Sequence, residues 1–460
     1  MLNEHFEKTK EKLDKVGKGF CLAKWTQVTL QLQTGHNHSC HHPVTHKISE
    51  LEVAQNPSAL HNTNYKKNRR REMMEGLRPK ECDYCWNIED NSNEFSDRVY
   101  KSTEPWSMQY FDEVLKTKGE KDINPKYVEV SFSNVCNFKC SYCYPQFSTQ
   151  WWDEIEQFGA YPTSTRHNSL DQLIRDGKQP FKQTEHNPYV EAFWKWWPDL
   201  YKDLLNFRIT GGEPLLHKDT FKVFDYVIDN PNPKLKLAIN SNLGAPDKLY
   251  QMAKEKIKRI SGEGLVREFV LFTSCDGKGK QSEYIRNGFD YNQWYDRCAE
   301  LLEEIPKLTI SIMGTYNVLS IPSYKGLIED VYKLKQQFTN TDRYWFYPIG
   351  LDSSYLRHPN HQAANIITDD WHKEVYEQAQ LMDFYETLGT QNPIGYTDVE
   401  IHKLRRIYDV VTAPKEEHSL KRDRKDFFRF FTEHDRRRGT DFLKTFPELE
   451  EFWNLCKNLR

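Results

Sequence analysis

The stretch SNVCNFKCSYCYP, residues 133–145, decides how the rest of this sequence is interpreted. It holds Cys136, Cys140 and Cys143, three of the ten cysteines in the chain. Their C-x3-C-x2-C spacing differs from the ferredoxin run and from paired C-x2-C zinc motifs. Three closely spaced thiolates can hold three corners of a cubic [4Fe-4S] cluster and leave the fourth iron open. A structural zinc site completed by a histidine is the alternative interpretation.

From residue 127 onward, apolar runs of strand length alternate with helical patterns, which predicts βα units and a parallel sheet. The cysteine-rich stretch directly follows the first of these strands. The predicted strands are 127–134, 206–210, 234–242, 268–275, 307–315 and 343–350. Six such units predict an α/β fold with a partial (β/α)6 TIM-type barrel, whose working face lies at the C-terminal ends of its strands.

The segments on either side of this core differ from it in composition, which predicts that the chain divides into several regions. Residues 1–95 are cysteine-rich, polar and weakly periodic, 96–126 form a linker, 127–350 form the core, and 351–460 form a helical C-terminal extension. The connection between the first two strands is long and carries the tryptophan-rich stretches WWDEIEQF and FWKWWPDL. These aromatic residues are either a substrate lid or the packing of an inserted helical hairpin.

Overall composition narrows the class of protein. The formal net charge is −3, so no global field attracts nucleic acid or an anionic membrane. The sequence has neither a long apolar run nor a signal-peptide pattern, which predicts a cytoplasmic protein without membrane association. Because cytosolic thiols stay reduced, the clustered cysteines indicate metal binding rather than disulfides.

The C-x3-C-x-aromatic-C loop, with Tyr142 as the aromatic residue, resembles the radical S-adenosylmethionine (radical SAM) superfamily. In RITGGEPLL, the residues Gly211, Gly212, Glu213 and Pro214 match the GGEP motif of that family. The resemblance implies that Cys136, Cys140 and Cys143 are catalytic cluster ligands. It also implies that SAM chelates the open iron and is reductively cleaved to methionine and a 5′-deoxyadenosyl radical. Glu213 is expected to accept from the methionyl ammonium.

Further cofactor-binding candidates follow later strands. Ser241 and Asn242 stand where the family often has Thr-Asn-Gly, and Ser274 and Asp276 resemble its Ser-x-Asp-Gly. Arg286 matches an arginine that pairs with the methionyl carboxylate. For each of them, a purely structural role at a strand end is the alternative. Cys275 and Cys298 are predicted to be buried apolar residues.

The N-terminal cysteines form a second candidate metal site. Cys21, Cys40, Cys82 and Cys85, with Gly76 and Pro79 before the C-x2-C pair, resemble the SPASM/twitch auxiliary module. This module usually follows the barrel, so its N-terminal place is a departure. The resemblance implies a second [4Fe-4S] cluster, and zinc is the alternative. One of His36, His38, His41 and His42 is a possible replacement ligand, although a polar loop is the simpler interpretation.

Taken together, the motifs predict a radical SAM oxidoreductase or maturase that abstracts hydrogen from a peptide or protein. A flavodoxin or ferredoxin is the expected electron donor. The alternatives are a nucleotide or small-metabolite substrate, or a non-catalytic iron–sulfur or zinc scaffold. Nucleic acid is not expected as a partner; the basic runs KKNRRR (66–71) and DRRRG (435–439) are the contacts that a nucleic acid or nucleotide would use. A solvated helix face is the simpler explanation of KKNRRR.

Overall fold

The computed structural model describes residues 2–338, 347–391 and 395–459, and it shows a mixed α/β fold with parallel strands. The strands of the described residues are β1 Gln27–Gln31, β2 His36–His38, β3 His46–Lys47, β4 Tyr127–Ser131, β5 Lys139–Cys140, β6 Asn206–Thr210, β7 Asn232–Ser241, β8 Val266–Ser274, β9 Arg286–Asn287, β10 Thr309–Tyr316 and β11 Ile349–Tyr355.

The helices begin and end as follows: α1 Leu2–Asp14, α2 Ala23–Thr26, α3 Glu50–Gln55, α4 Asn64–Met74, α5 Asp83–Asn91, α6 Asp97–Thr103, α7 Pro105–Met108, α8 Phe111–Lys116, α9 Thr149–Phe158, α10 Leu170–Arg175, α11 Pro188–Asp203, α12 Lys218–Asp229, α13 Asp247–Gly262, α14 Gly279–Ile285, α15 Tyr291–Glu304, α16 Tyr324–Gln337, α17 His372–Gln391, α18 Asp398–Thr412, α19 Glu417–Arg438, α20 Phe442–Thr445 and α21 Glu450–Asn458.

The chain divides into two compact units. The first comprises Met1–Ser133, Gln179–Gly211 and Pro231–Ala238, and the second comprises the three remaining segments, Asn134–Lys178, Gly212–Asn230 and Ile239–Arg460. Strand β7 contributes residues to both. The four-part division by sequence concerns functional modules, and it stays a prediction.

In the first unit, the strand order is β6-β4-β1-β2-β3. Strands β6, β4 and β1 are parallel, whereas β2 and β3 continue antiparallel from β1. The N-terminal helices pack around a separate core of buried residues that include Leu13, Phe20, Trp25 and Met73. The N-terminal 95 residues therefore supply a strand that pairs directly with β4, the strand that precedes the cysteine loop.

In the second unit, β8, β10 and β11 are parallel neighbours in the order β11-β10-β8. Helix α13 precedes β8, α15 precedes β10 and α16 precedes β11, so helices and strands alternate along the chain. The short strands β5 and β9 form a separate antiparallel pair. This alternation matches the βα units expected from the sequence, and the closure of a (β/α)6 barrel stays a prediction.

Five of the six predicted strands are present with ends shifted by a few residues, as β4, β6, β7, β8 and β10. The sixth prediction, 343–350, is wrong in its bounds. Residues 343–346 of this prediction lie outside the described residues. The strand that follows them is β11, which begins at Ile349 and continues to Tyr355. Strands β1, β2 and β3 were not predicted, because they are short and lie in a polar segment.

From His372 onward the tail folds into helices α17 to α21, whereas the first residues of the predicted helical extension, which began at 351, belong to β11. Helix α19 and the turns after it bury a group of aromatic side chains: Phe427, Phe430, Phe431, Phe442 and Phe446. In the tryptophan-rich insertion, Trp151 of α9 and Trp197 of α11 are almost fully buried. Packing rather than a solvent-facing lid therefore explains those two side chains. None of the described helices is long and apolar enough to cross a membrane.

Candidate functional site

The cysteine loop lies in the second unit and is held by a short antiparallel pairing. Cys140 in β5 pairs with Arg286 in β9. The three cysteines Cys136, Cys140 and Cys143 are all half-buried and free of disulfides. The backbone N–H of Phe138 approaches the Cys136 Sγ to 3.4 Å, which helps to orient that sulfur.

The surroundings of these thiols fit a metal cluster. Burial raises the pKa of all three, and the pKa of Cys143 rises to about 12. The neighbouring Cys140 also raises the pKa values of Cys136 and Cys143, so the sulfurs are close enough to repel one another as thiolates. Three buried thiolates in one place need a cationic partner, and the iron of a [4Fe-4S] cluster supplies that positive charge.

The glycine pair of GGEP is required by close backbone packing. Gly211 has a φ of +128°, a conformation that side chains with a Cβ rarely adopt. A Cβ on Gly212 would lie 2.3 Å from the carbonyl oxygen of Val135, the residue before Cys136. The N–H of Glu213 donates to the same carbonyl at 2.7 Å. Gly212 and Glu213 are therefore packed directly against the cysteine loop.

Glu213 is buried at the centre of a ring of donors. Its Oε1 accepts from the hydroxyl of Ser241 at 2.8 Å, and its Oε2 accepts from the N–H of Asn242 at 2.6 Å. The N–H of Leu215 also donates to Oε1, at 3.0 Å. Burial raises the pKa of Glu213 to about 7. Pro214 begins the turn that follows and is buried. The structure thus brings Ser241 and Asn242 to Glu213.

A second polar network joins Asp276 to the cysteine loop. Asp276 is fully buried and receives Arg286 at both oxygens, Nε to Oδ2 at 2.7 Å and Nη2 to Oδ1 at 3.0 Å. The hydroxyl of Tyr142 donates to Asp276 Oδ2 at 2.6 Å. The remaining guanidinium nitrogen of Arg286, Nη1, lies 3.6 Å from the Sγ of Cys140.

This network changes the contacts expected of Arg286. The resemblance implied a pairing with the methionyl carboxylate, whereas two of its nitrogens are bound to Asp276 and the third faces Cys140. Ser274 ends β8 and pairs in register with Met313 of β10. Roles in SAM binding for Ser274, Asp276 and Arg286 stay predictions. Cys275 and Cys298 are fully buried, as predicted.

The four N-terminal cysteines gather in the first unit. Cys21, Cys40, Cys82 and Cys85 line one small cavity, although they come from three separate segments of the chain. Burial raises the pKa of Cys21, and Cys40, Cys85 and Cys82 raise it further. Three cationic side chains line the same cavity: Lys24, Arg98 and Lys101. Four desolvated thiols beside cations form a donor set that fits an anionic cluster.

The histidines of this region take different positions. His42 lines the four-cysteine cavity, and its Nε2 lies 2.8 Å from Asp97 Oδ2. His38 Nδ1 contacts the carbonyl oxygen of Cys40, and His41 Nε2 lies 3.8 Å from Glu129 Oε1. His36 is buried in β2. Within the part of the chain that the structure describes, no three His, Cys, Asp or Glu side chains form a group able to hold a single metal ion.

Residues 130–319 match the family model of the radical SAM superfamily. This stretch is a radical SAM domain. It contains the cysteine loop, GGEP and the network around Asp276, so the geometry and the match concern the same residues.

Among curated proteins, part of this chain is similar to GTP 3′,8-cyclases. That of Vibrio parahaemolyticus serotype O3:K6 is 27% identical over 212 residues, which are 44% of this chain and 51% of the relative. That of Actinobacillus pleuropneumoniae serotype 5b is 26% identical over 208 residues, 44% of this chain and 49% of the relative. The chain spans about half the length of the curated relatives it matches. The family match and these relatives confirm the prediction of an enzyme.

Among solved structures, Streptococcus suis SuiB bound to the precursor peptide SuiA aligns with a TM-score of 0.37 at 14% identity. That alignment covers 67% of this chain and 56% of SuiB. SuiB bound to S-adenosylmethionine gives the same TM-score and identity over 72% of this chain and 60% of SuiB.

The sequence did not predict a cavity beside the cysteine loop of the radical SAM domain. It has a volume of about 520 Å³, and its wall includes Tyr144, His167, Asn168 and His361. The side-chain amide of Asn168 donates to the carbonyl oxygen of Cys143 at 3.1 Å, so this wall is tied to the cysteine loop. The lining residues come from segments far apart in sequence, and no local motif marks them.

The basic run at 66–71 is only partly exposed. Lys66 and Arg70 are fully buried, and both lie within 2.9 Å of the ring of His61. The interpretation of this run as a solvated helix face is wrong for these two residues. Neither side chain is available to bind phosphate.

Proposed function

We propose that this enzyme binds a [4Fe-4S] cluster through Cys136, Cys140 and Cys143, cleaves SAM reductively, and uses the 5′-deoxyadenosyl radical to abstract hydrogen from a peptide or protein. The observation that carries the proposal is the packing of GGEP against the three-thiol loop inside a radical SAM domain. When bound, such a cluster supplies one electron and an open coordination position for SAM.

The residues of the chain have separable tasks in this proposal. Glu213, held by Ser241 and Asn242, is aligned to accept from an ammonium group in its ionised form. The Asp276–Arg286 pair fixes Tyr142 and β5, which keeps Cys140 in place. A buried site of this kind excludes water, as a reactive primary radical requires.

A peptide substrate is supported by the charge of the cavity beside the loop. Its charged lining is balanced, with three acidic and three basic side chains: Asp176, Asp423, Asp426, Arg166, Lys178 and Arg422. A nucleoside triphosphate needs an excess of positive charge, whereas a polypeptide offers donors, acceptors and charges of both signs. The volume of about 520 Å³ is within the range of small-ligand and side-chain pockets.

A nucleotide is the second candidate, because the curated relatives are named GTP 3′,8-cyclases. The aligned region covers 44% of this chain, and Asp423 and Asp426 of the cavity lie beyond the matched domain. GTP added to the cluster-loaded enzyme with SAM and dithionite discriminates the two. A peptide enzyme leaves GTP unchanged, and a new guanine-derived product by mass spectrometry would overturn the peptide proposal.

The core assignment is tested by anaerobic reconstitution with iron and sulfide, followed by dithionite and SAM. Wild-type protein is expected to form 5′-deoxyadenosine, and Cys140→Ala is expected to form none. Cys298→Ala is a matched control, because Cys298 is a buried cysteine outside both cysteine groups. If Cys140→Ala makes as much product as the wild type, the assignment is wrong.

We also propose that Cys21, Cys40, Cys82 and Cys85 bind a second [4Fe-4S] cluster. Full loading of both sites gives about eight iron atoms per chain, so Cys82→Ala/Cys85→Ala is expected to retain about four. Iron and zinc are both counted by inductively coupled plasma mass spectrometry. An unchanged iron content, or zinc lost in place of iron, would contradict the second cluster.

A further inference from the structure

The end of helix α19 is joined to the cysteine loop by one buried arginine. Arg438 is the last residue of the helix, and its side chain is 1% exposed. Its Nη1 donates to the carbonyl oxygen of Lys139, the residue before Cys140, at 2.7 Å. The guanidinium carbon also lies 4.8 Å from the ring centre of Trp151. A side chain 298 positions later in sequence than Cys140 thus contacts its neighbour in β5.

Glu154 of α9 fixes this arginine in place. Arg438 Nε lies 3.1 Å from Glu154 Oε2, and Lys139 Nζ lies 2.9 Å from the same oxygen. The hydroxyl of Tyr161 donates to Glu154 Oε1 at 2.6 Å. Burial acts to raise the pKa of Glu154, but Arg438 and the other donors outweigh it and hold the pKa at about 2. The carboxylate is therefore ionised throughout the physiological pH range.

Two consecutive carbonyl groups of β5 are bound by side chains. Arg438 binds the oxygen of Lys139, and the indole N–H of Trp151 donates to the oxygen of Cys140 at 2.8 Å. Trp151 itself packs beneath the guanidinium of Arg438. The backbone position of Cys140 therefore depends on α9 and on the C-terminal helix as well as on its pairing with Arg286.

The sequence around Arg438 favours this arrangement. Arginines in the last turn of a helix interact favourably with its dipole, and Gly439 ends α19 in a left-handed conformation, with φ of 65°. In the run DRRRG, which the sequence offered as a nucleic-acid contact, Arg437 and Arg438 have side chains only 1% exposed. Arg436 differs, with a side chain 58% exposed and paired with Glu433.

We propose that Arg438 is a positioning residue for the cluster of the radical SAM domain. It holds the backbone at Cys140, and its fixed positive charge favours the more negative, reduced state of the cluster. The charge acts strongly because the site is buried, where electrostatic interactions are less screened than in water. This inference rests on the proposed function, since it requires a cluster on Cys136, Cys140 and Cys143. It gives the C-terminal extension a part in the redox site.

The test compares Arg438→Gln and Arg438→Lys with Arg436→Gln, a control two residues away on the solvent side of the same helix. Each protein is reconstituted anaerobically. Iron content and the midpoint potential are measured, the potential by redox titration monitored by electron paramagnetic resonance, following the signal that changes when SAM is added. Circular dichroism confirms folding before reconstitution.

Arg438→Gln is expected to shift the midpoint potential to a more negative value and to lower the iron content of the loop. Arg438→Lys keeps the charge, so its potential is expected to lie closer to that of the wild type than to that of Arg438→Gln. Equal potentials and iron contents in Arg438→Gln and Arg436→Gln would overturn the inference. If Arg438→Gln does not fold, Arg438→Lys decides. A wild-type iron content and midpoint potential in Arg438→Lys support a role for the positive charge, and a clearly more negative midpoint potential in Arg438→Lys opposes it. A wild-type protein that binds no SAM-responsive cluster would overturn the proposed function instead.

Discussion

Asp276→Asn is the substitution that tests the buried network beside the cysteine loop most directly. Asp276 is fully buried and accepts hydrogen bonds from Arg286, from Tyr142 and from the N–H of Thr315. Asparagine keeps the shape and one acceptor oxygen but removes the charge. Arg286, itself 6% exposed, would then be a buried cation without its counter-ion. Breaking a buried pair in this way costs about 3–5 kcal/mol of stability.

The expected change in melting temperature follows from that cost. A destabilisation of 1 kcal/mol lowers Tm by about 2–4 °C in domains of roughly 150–250 residues, and the second unit is larger than these. At about 2 °C for each kcal/mol, Asp276→Asn should lower Tm by roughly 6–10 °C. The assay is differential scanning calorimetry of the reduced, cluster-free protein at neutral pH.

The double variant Asp276→Asn/Arg286→Met removes both charges and provides the control. If an uncompensated buried charge causes the loss, the double variant should recover most of the stability that the single variant loses. A single variant within about 2 °C of the wild type would refute the reasoning. So would a double variant less stable than the single one.

Two further predictions concern the GGEP motif. Burial raises the pKa of Glu213 to about 7 from an ordinary value of 4.5, so the cluster-free protein loses stability as pH rises through that window and the native carboxyl ionises. In the proposed function the ionised carboxylate binds the ammonium of SAM, so SAM affinity should weaken about eightfold from pH 7.5 to pH 6, while Glu213→Gln binds weakly at both pH values. Equilibrium titration of SAM into the cluster-loaded protein checks this, and a wild type whose affinity does not change with pH contradicts it. Gly212→Ala should lose most of the iron of the loop, because the new Cβ would lie 2.3 Å from the Val135 oxygen, whereas Gly262→Ala, which points into open space, should bind iron like the wild type.

The elements predicted well are those that carry a local signal. Strand β6 was predicted with its exact bounds, because an apolar run is flanked there by helical patterns. The gathering of Cys21, Cys40, Cys82 and Cys85 around one cavity was also anticipated, since thiol chemistry restricts what clustered cysteines do.

The elements missed depend on partners far away in sequence. Strand β1 is identifiable only through its register with β4, in which Val28 pairs with Val128. The burial of Arg438 was unexpected because runs of charge usually lie on a solvated face, and its partner Glu154 is 284 positions away. The bidentate pairing of Arg286 with Asp276 is closer in sequence, but the resemblance assigned the same guanidinium to the methionyl carboxylate, so the pairing was not predicted.

The antiparallel continuation of the sheet beyond β1 has a consequence for self-association. A sheet that ended at a long, unpaired strand would offer its free N–H and C=O groups to a second molecule. In the first unit, the strand order β6-β4-β1-β2-β3 ends at β3, which is two residues long and carries Lys47. A very short outer strand with a lysine presents a poor template for intermolecular strand pairing. The N-terminal residues thus keep β4, the strand that precedes the cysteine loop in sequence, from acting as an aggregation edge.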